Sequence, residues 1–254
     1  MKSILLILVI TLATVSGFGQ LEIREEIEEA NAELSMIYSF SVKYSLTILK
    51  GEGHEQPAAI DDNGIYQIFL YTSSYRSGVA RHELAHVYFF EYLRSEGLNP
   101  DEIPLWYHEL IAEGFQNLHT RTRRPELRAA FFDFTEFDRR YPQKTDQSVF
   151  YGAVSSFAGY ILERFSYRDL IRVIDEFSDE RDISPAFVKV FGSSLGSMIT
   201  SWRLIVLLPY SPFLIGVVLF LYLLIGRREK YWRKFPLDLR SLEEDKETKE
   251  KGIQ

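Results

Sequence analysis

The chain has 254 residues, 46% of them hydrophobic, which is enough for one core-bearing domain with accessory segments. Its net charge of −7 argues against a nucleic-acid partner. With no cysteine present, disulfides, thiolate metal sites and a lipidated N-terminal cysteine are excluded.

Met1-Lys2-Ser3 is a short basic start, followed by an apolar run from Ile4 to Val15 and the small residues Ser16, Gly17 and Gly19. This is the three-part form of a secretory signal peptide over residues 1–19, cleaved near Gly19 or Gln20. An uncleaved anchor is the alternative, although the run is short for a full bilayer span. Leu21 to Leu34 spaces Leu21, Ile23, Ile27, Ala30 and Leu34 as the apolar stripe of a helix. Its many glutamates read as a solvated face with no chemistry assigned.

Tyr38 to Leu49 carries β-forming residues and predicts a strand, and Gly51 to Gly64 predicts a loop with a turn at Asp62-Asn63-Gly64. Ile65 to Thr72 is the clearest strand in the chain. The order predicts a small antiparallel sheet ahead of the next helix. Tyr66 to Thr72 is the candidate open edge, to which an extended peptide can add by backbone hydrogen bonds; a fully paired strand is the alternative.

The helix predicted over Val79 to Arg94 contains His82-Glu83-Leu84-Ala85-His86, an H-E-x-x-H pattern. Side chains four apart on a helix share a face, so the two imidazoles can converge on one metal ion. Glu83 is rotated aside, where it can reach a water on that metal. After a loop over residues 98–104, Pro104 opens a second predicted helix that carries Glu109 and Glu113 four residues apart. A carboxylate from there supplies the third ligand of a catalytic zinc site and leaves the fourth position for water.

These residues resemble the gluzincin metallopeptidases of the peptidase MA-like group, the superfamily of thermolysin and aminopeptidase N. Members pair H-E-x-x-H with a segment similar to P-x-W-x-x-E-G-x-A-E, which here reads from Pro104 through Trp106 and Glu109 to Glu113. The resemblance implies zinc on His82, His86 and Glu109, with Glu113 orienting a ligand histidine through its second nitrogen. Leu110 departs from the family, which has Gly there. A shifted register, with Glu113-Gly114-Phe115 as the ligand motif, stays open. It also implies an α+β, zincin-like fold in which a small N-terminal sheet and the active-site helix precede a mostly helical part. The segments 151–164 and 190–203 resemble the helical tail of small members of this group.

For a peptidase, Tyr151 is the first candidate to stabilise the oxyanion, with His108 and His119 behind it. The long metzincin form does not fit, since Phe89 and Tyr92 stand where its Gly and third His belong. Glu126 to Asp138 reads as a helix or a substrate-side cap and Tyr141 to Gln147 as a loop. Helices are expected at 150–165, at 167–177 and after Ser184-Pro185.

Leu204 to Gly226 contains no charged residue and is long enough to cross a bilayer, the helix itself starting near Ser211. Arg227, Arg228, Lys230, Arg233 and Lys234, with Tyr231 and Trp232, follow it and mark that end as cytoplasmic. The expected layout is a signal peptide (1–19), an extracytoplasmic peptidase domain (20–203), one membrane helix (204–226) and a charged cytoplasmic tail (227–254), disordered from Arg240. The expected partners are a peptide or protein substrate and the lipid bilayer. A catalytically inactive, membrane-tethered binding or scaffold module is the competing function.

Overall fold

The structure, a computed structural model, describes residues 2–51, 56–62, 65–73, 75–120, 127–177 and 182–234. The expected turn at Asn63-Gly64 and the tail at 240–254 lie outside the described residues. The chain divides into two units, Met1–Val206 and Leu207–Gln254.

The first unit is mixed α and β, with helices outweighing one three-stranded sheet. Helix α1 spans Lys2–Tyr38 and takes in both the N-terminal apolar run and the amphipathic stretch. It buries Ile23, Ile27, Ala30, Leu34 and Tyr38, while Leu21 at the head of the expected stripe is exposed. Ser39, at φ 62°, breaks the helix, so the first strand begins later than the sequence predicts. Tyr38 ends a helix in the core instead of starting a strand.

Strands β1 (Tyr44–Leu49), β2 (Ala58–Asp62) and β3 (Ile65–Tyr71) form a sheet in the order β1-β3-β2. β2 and β3 run antiparallel, with Ala59 opposite Ile68, whereas β1 and β3 run parallel, with Leu46 opposite Ile68. The sheet is therefore mixed, not antiparallel. β2 arises where a loop is expected: Ala-Ala-Ile-Asp-Asp has little β preference of its own, and pairing with β3 draws it in. That pairing makes β3 the central strand, so the expected open edge at Tyr66 to Thr72 is closed on both sides. The edge on that side of the sheet belongs to β2.

Helix α2 (Val79–Ser95) is buried on nearly every side, from Ala80 to Leu93, and packs on α1, on the sheet and on α3 (Leu105–His119). A helix so enclosed needs its unpaired N-terminal amides satisfied from elsewhere, because Gly78 at its N-cap offers no side chain. Glu26 of α1 does this: its Oε1 accepts from the Gly78 amide at 3.0 Å and from the Arg81 amide at 3.4 Å. Tyr75 donates to the other oxygen. One turn on, the buried Arg81 guanidinium reaches Glu29 at 2.8 Å and Glu33 at 3.4 Å. The acidic face of α1 is thus only partly solvated: part of it is the seat of the N-terminus of α2.

Past α3, residues 127–138 form two short 3-10 turns, Leu127–Phe131 and Phe134–Glu136, and not one helix. Helices α4 (Gln147–Leu162), α5 (Tyr167–Asp175), α6 (Ser184–Phe191) and α7 (Leu195–Leu207) complete the unit. An aromatic core of Trp106, Phe134, Phe157, Phe187 and Trp202 joins them, and the Trp202 indole donates to buried Ser156 at 3.0 Å.

In the second unit, a 3-10 turn at Leu208–Tyr210 leads into α8 (Ser211–Lys234). The uncharged run 204–226 is thus divided at Pro209, and α8 begins at Ser211, where the sequence predicts a helix to start. Among the described residues no single helix is long and apolar enough to cross a membrane. One bent pair, Ser184–Phe191 with Leu195–Phe213, qualifies by length and composition, but it carries Phe187 and Trp202 in the core of the first unit.

Two substitutions test the seat of α2. Glu26→Ala should cost about 0.5–2 kcal/mol, the range for a lost helix cap. At Gly78, φ is +94° and an added Cβ would lie 2.7 Å from Cγ of Gln116. Gly78→Ala should therefore destabilise by about 1–3 kcal/mol. Denaturant unfolding of the full chain measures both.

Candidate metal centre

The i, i+4 spacing on α2 stacks His82 and His86 on one face, their rings 4.8 Å apart and nearly perpendicular, with Phe90 one turn further along. Their Nε2 atoms stand 3.1 Å apart. Glu109 enters from α3, 1% exposed, and its Oε2 lies 3.3 Å from Nε2 of His82 and 3.7 Å from Nε2 of His86. Three ligands at about 2.0–2.1 Å from a tetrahedral ion would stand about 3.3 Å from one another. The three atoms observed fit that triangle. Glu109 Oε2 is moreover buried with no hydrogen-bond partner among the described residues, an arrangement that an ion at the centre would relieve. The group His82, His86 and Glu109 could hold a metal ion.

Glu113, one turn along α3, approaches His82 from the other side: its Oε1 is 3.6 Å from Nδ1. The structure therefore brings Glu109 to the Nε2 face of the histidines and Glu113 to the back of one ring. Leu110, the departure from the family pattern, is wholly buried. Glu83 lines the cleft beside the two histidines and is 8% exposed. Burial pushes its carboxyl pKa up, against the opposing pull of His82 and His86, and the Ala59 amide of β2 hydrogen-bonds to it.

Electrostatically the cluster favours a cation. Burial disfavours a charged His82, yet the close approach of Glu109 and the carboxylates of Glu113 and Glu83 outweigh it and lift its pKa to about 9. Burial would likewise raise Glu109, but His86 and His82 hold it well below the usual carboxylate range. The same carboxylates would favour a metal cation at this point, which would displace the proton from His82 as it binds.

The ligands stand in the wall of a cleft of about 660 Å³. Ala58 and Ala59 of β2 line one part of it, and residues 99–103 with Asp138 and Arg139 line another. Tyr151, the fifth residue of α4, faces the cleft, its hydroxyl pKa raised by burial and by the charges of Glu109 and Glu83. His108 also lines the cleft, but its Nε2 donates to the Pro100 carbonyl at 2.9 Å, and burial lowers its pKa to about 4. His119 is outside the cleft lining and pairs with Glu33 of α1 at 2.7 Å.

One residue at the site carries no signal in the sequence. Tyr141, in the stretch read as a polar loop, donates its hydroxyl to Oε1 of Glu109 at 2.6 Å. It is one of 15 tyrosines and follows no helical or strand period, so only the fold brings it here.

Elemental analysis of the purified chain should find about one metal ion per chain, lost in His82→Ala and in Glu109→Ala. Glu113→Ala should keep the ion at about 10- to 100-fold lower affinity, as expected for a residue that orients a ligand without touching the metal.

Comparison with protein-family models, with curated proteins and with solved structures finds no match for this chain.

Proposed function

We propose that this chain is a zinc-dependent peptidase of zincin-like fold, held at a membrane with its catalytic unit on the extracytoplasmic side. The observation that carries the reading is the convergence of His82, His86 and Glu109 in a cleft wall, with Glu83 beside them. Two imidazoles and a carboxylate are a donor set suited to zinc at a catalytic site, which keeps one position open. Zinc there supplies a Lewis acid and lowers the pKa of a water bound to it.

The chain's own residues account for the remaining steps. Glu83 accepts the proton that the attacking water loses and later delivers it to the leaving amine. Its upward-shifted carboxyl suits both duties, since the proton must be taken and then given back. The Tyr151 hydroxyl, facing the same cleft, donates to the oxygen of the scissile carbonyl as negative charge collects there. An extended substrate adds to β2, the edge strand at the cleft, in place of the β3 edge that the sequence suggests.

The membrane part of the proposal rests on α8. Phe213, Ile215 and the residues from Val217 to Ile225 are exposed on every side of this helix, as lipid-facing residues are. The basic residues from Arg227 onward support a cytoplasmic position for its end.

Glu83→Gln should retain the metal ion and lose hydrolysis of a peptide library by about 10²- to 10⁴-fold. Tyr151→Phe should lower kcat by about 10²- to 10³-fold and leave KM nearly unchanged. Full hydrolysis by Glu83→Gln would remove it as the base. For topology, protease added to intact cells or spheroplasts should cleave the metal-binding unit and spare a tag at the C-terminus; the reverse pattern would invert the orientation.

A further inference from the structure

We propose that the Tyr141 hydroxyl is a positioning group that holds Glu109 to single-oxygen contact with the metal ion. The proposal rests on the assignment of His82, His86 and Glu109 as the ligands. The two oxygens of Glu109 have different surroundings. Oε2 faces both imidazole nitrogens and accepts no hydrogen bond among the described residues, whereas Oε1 accepts from Tyr141 at 2.6 Å.

A carboxylate can bind a metal through one oxygen or chelate it through both. Chelation by Glu109 would turn Oε1 towards the ion and fill the position that a four-coordinate catalytic site leaves for water. A phenol hydrogen bond to Oε1 opposes that turn, because the hydroxyl would lose its acceptor in a partly buried place. It also fixes the plane of the carboxylate, so Oε2 stays aimed at the ion. Tyr141 thereby does for Glu109 what Glu113 does for His82: each engages the ligand atom that faces away from the metal.

Tyr141 is anchored for this duty by the helix that carries Glu109. The carbonyls of Phe137 and Asp138 accept from the amides of Trp106 and Leu105, the first two residues of α3, at 3.2 and 2.7 Å. The segment leading to Tyr141 is thus the N-terminal cap of α3, and a shift of either carries the other with it. The Tyr141 ring packs edge-on against buried Phe150, with centroids 6.4 Å apart, yet the residue stays 48% exposed. Removing its hydroxyl therefore disturbs little of the core.

The test uses the full chain in detergent, stripped of metal and titrated with Zn²⁺ against a chromophoric chelator. Tyr141→Phe should bind Zn²⁺ about 10- to 100-fold more weakly than wild type. Its Co²⁺ form should show the weaker visible bands of a five-coordinate ion, and Tyr160→Phe, outside the cleft lining, should match wild type in both measurements. Equal affinity and an unchanged Co²⁺ spectrum in Tyr141→Phe would overturn the proposal while leaving the metal ligands standing. X-ray absorption on Zn²⁺-loaded wild type needs no variant: a four-coordinate ion with one Glu oxygen supports the proposal, and a chelating carboxylate overturns it. A wild-type chain that binds no Zn²⁺ would remove the proposal together with the ligand assignment.

Discussion

Two helices meet across a plane that holds His82, Glu83, His86, Glu109 and Glu113, and none of these side chains is more than slightly exposed. Taking ionisable groups out of water costs several kcal/mol each unless opposite charge and hydrogen bonds replace the water. The plane offsets part of that cost internally, through the contacts of Glu109 and Glu113 with the imidazoles and of Tyr141 with Glu109. The contacts do not close, because Glu109 Oε2 and His86 Nδ1 remain buried without a hydrogen-bond partner among the described residues. Three carboxylates around two histidines leave an excess of negative charge when the histidines are neutral. A bound cation is the simplest remedy, and the plane is shaped for one.

Such a plane demands that α2 and α3 keep their relative rotation, since a slip of one residue would turn a ligand by about 100°. Most of the surrounding structure serves that demand. Glu26 fixes the start of α2 through its first amides, and Arg81 is held by Glu29 and Glu33. The start of α3 is fixed by Phe137 and Asp138, and Tyr107 and Asn117 tie it to α5 and α4. α1 acts on the candidate metal site in this way without lining it. Its glutamates are spaced as a solvated face would space them, which is why their sequence pattern conceals the role.

What could be read from the sequence follows from the range of the interactions involved. The helices carrying His82, His86, Glu109 and Glu113 were legible because periodicity, Pro104 and i, i+4 spacing are local, and α2 and α3 stand within a residue or so of their predicted starts. The choice between Glu109 and Glu113 was not local: it turns on how α3 is rotated against α2. The sheet failed for the same reason. β2 has no β signal of its own, and once it pairs with β3 the order β1-β3-β2 and the closed position of β3 follow. Tyr141 was silent because one hydrogen bond across 32 residues leaves no pattern in a loop.

The division between legible and silent residues matches a division of labour around the cleft. The ligand-bearing side is built from two buried helices, rigid by packing and specified by strong local signals. The opposite side is built from β2, the 99–103 turn and the 137–141 segment, which are short, partly exposed and weakly specified by their own sequences. A metal site needs its ligands placed to a fraction of an ångström before anything binds, whereas a substrate-facing wall can adjust as the substrate arrives. Tyr141 lies where the two sides join, with its ring at the cleft and its hydroxyl on Glu109. A molecule seated against the 137–141 wall would therefore press on the Tyr141 contact proposed to orient Glu109, which links the adjustable side of the cleft to the rigid one.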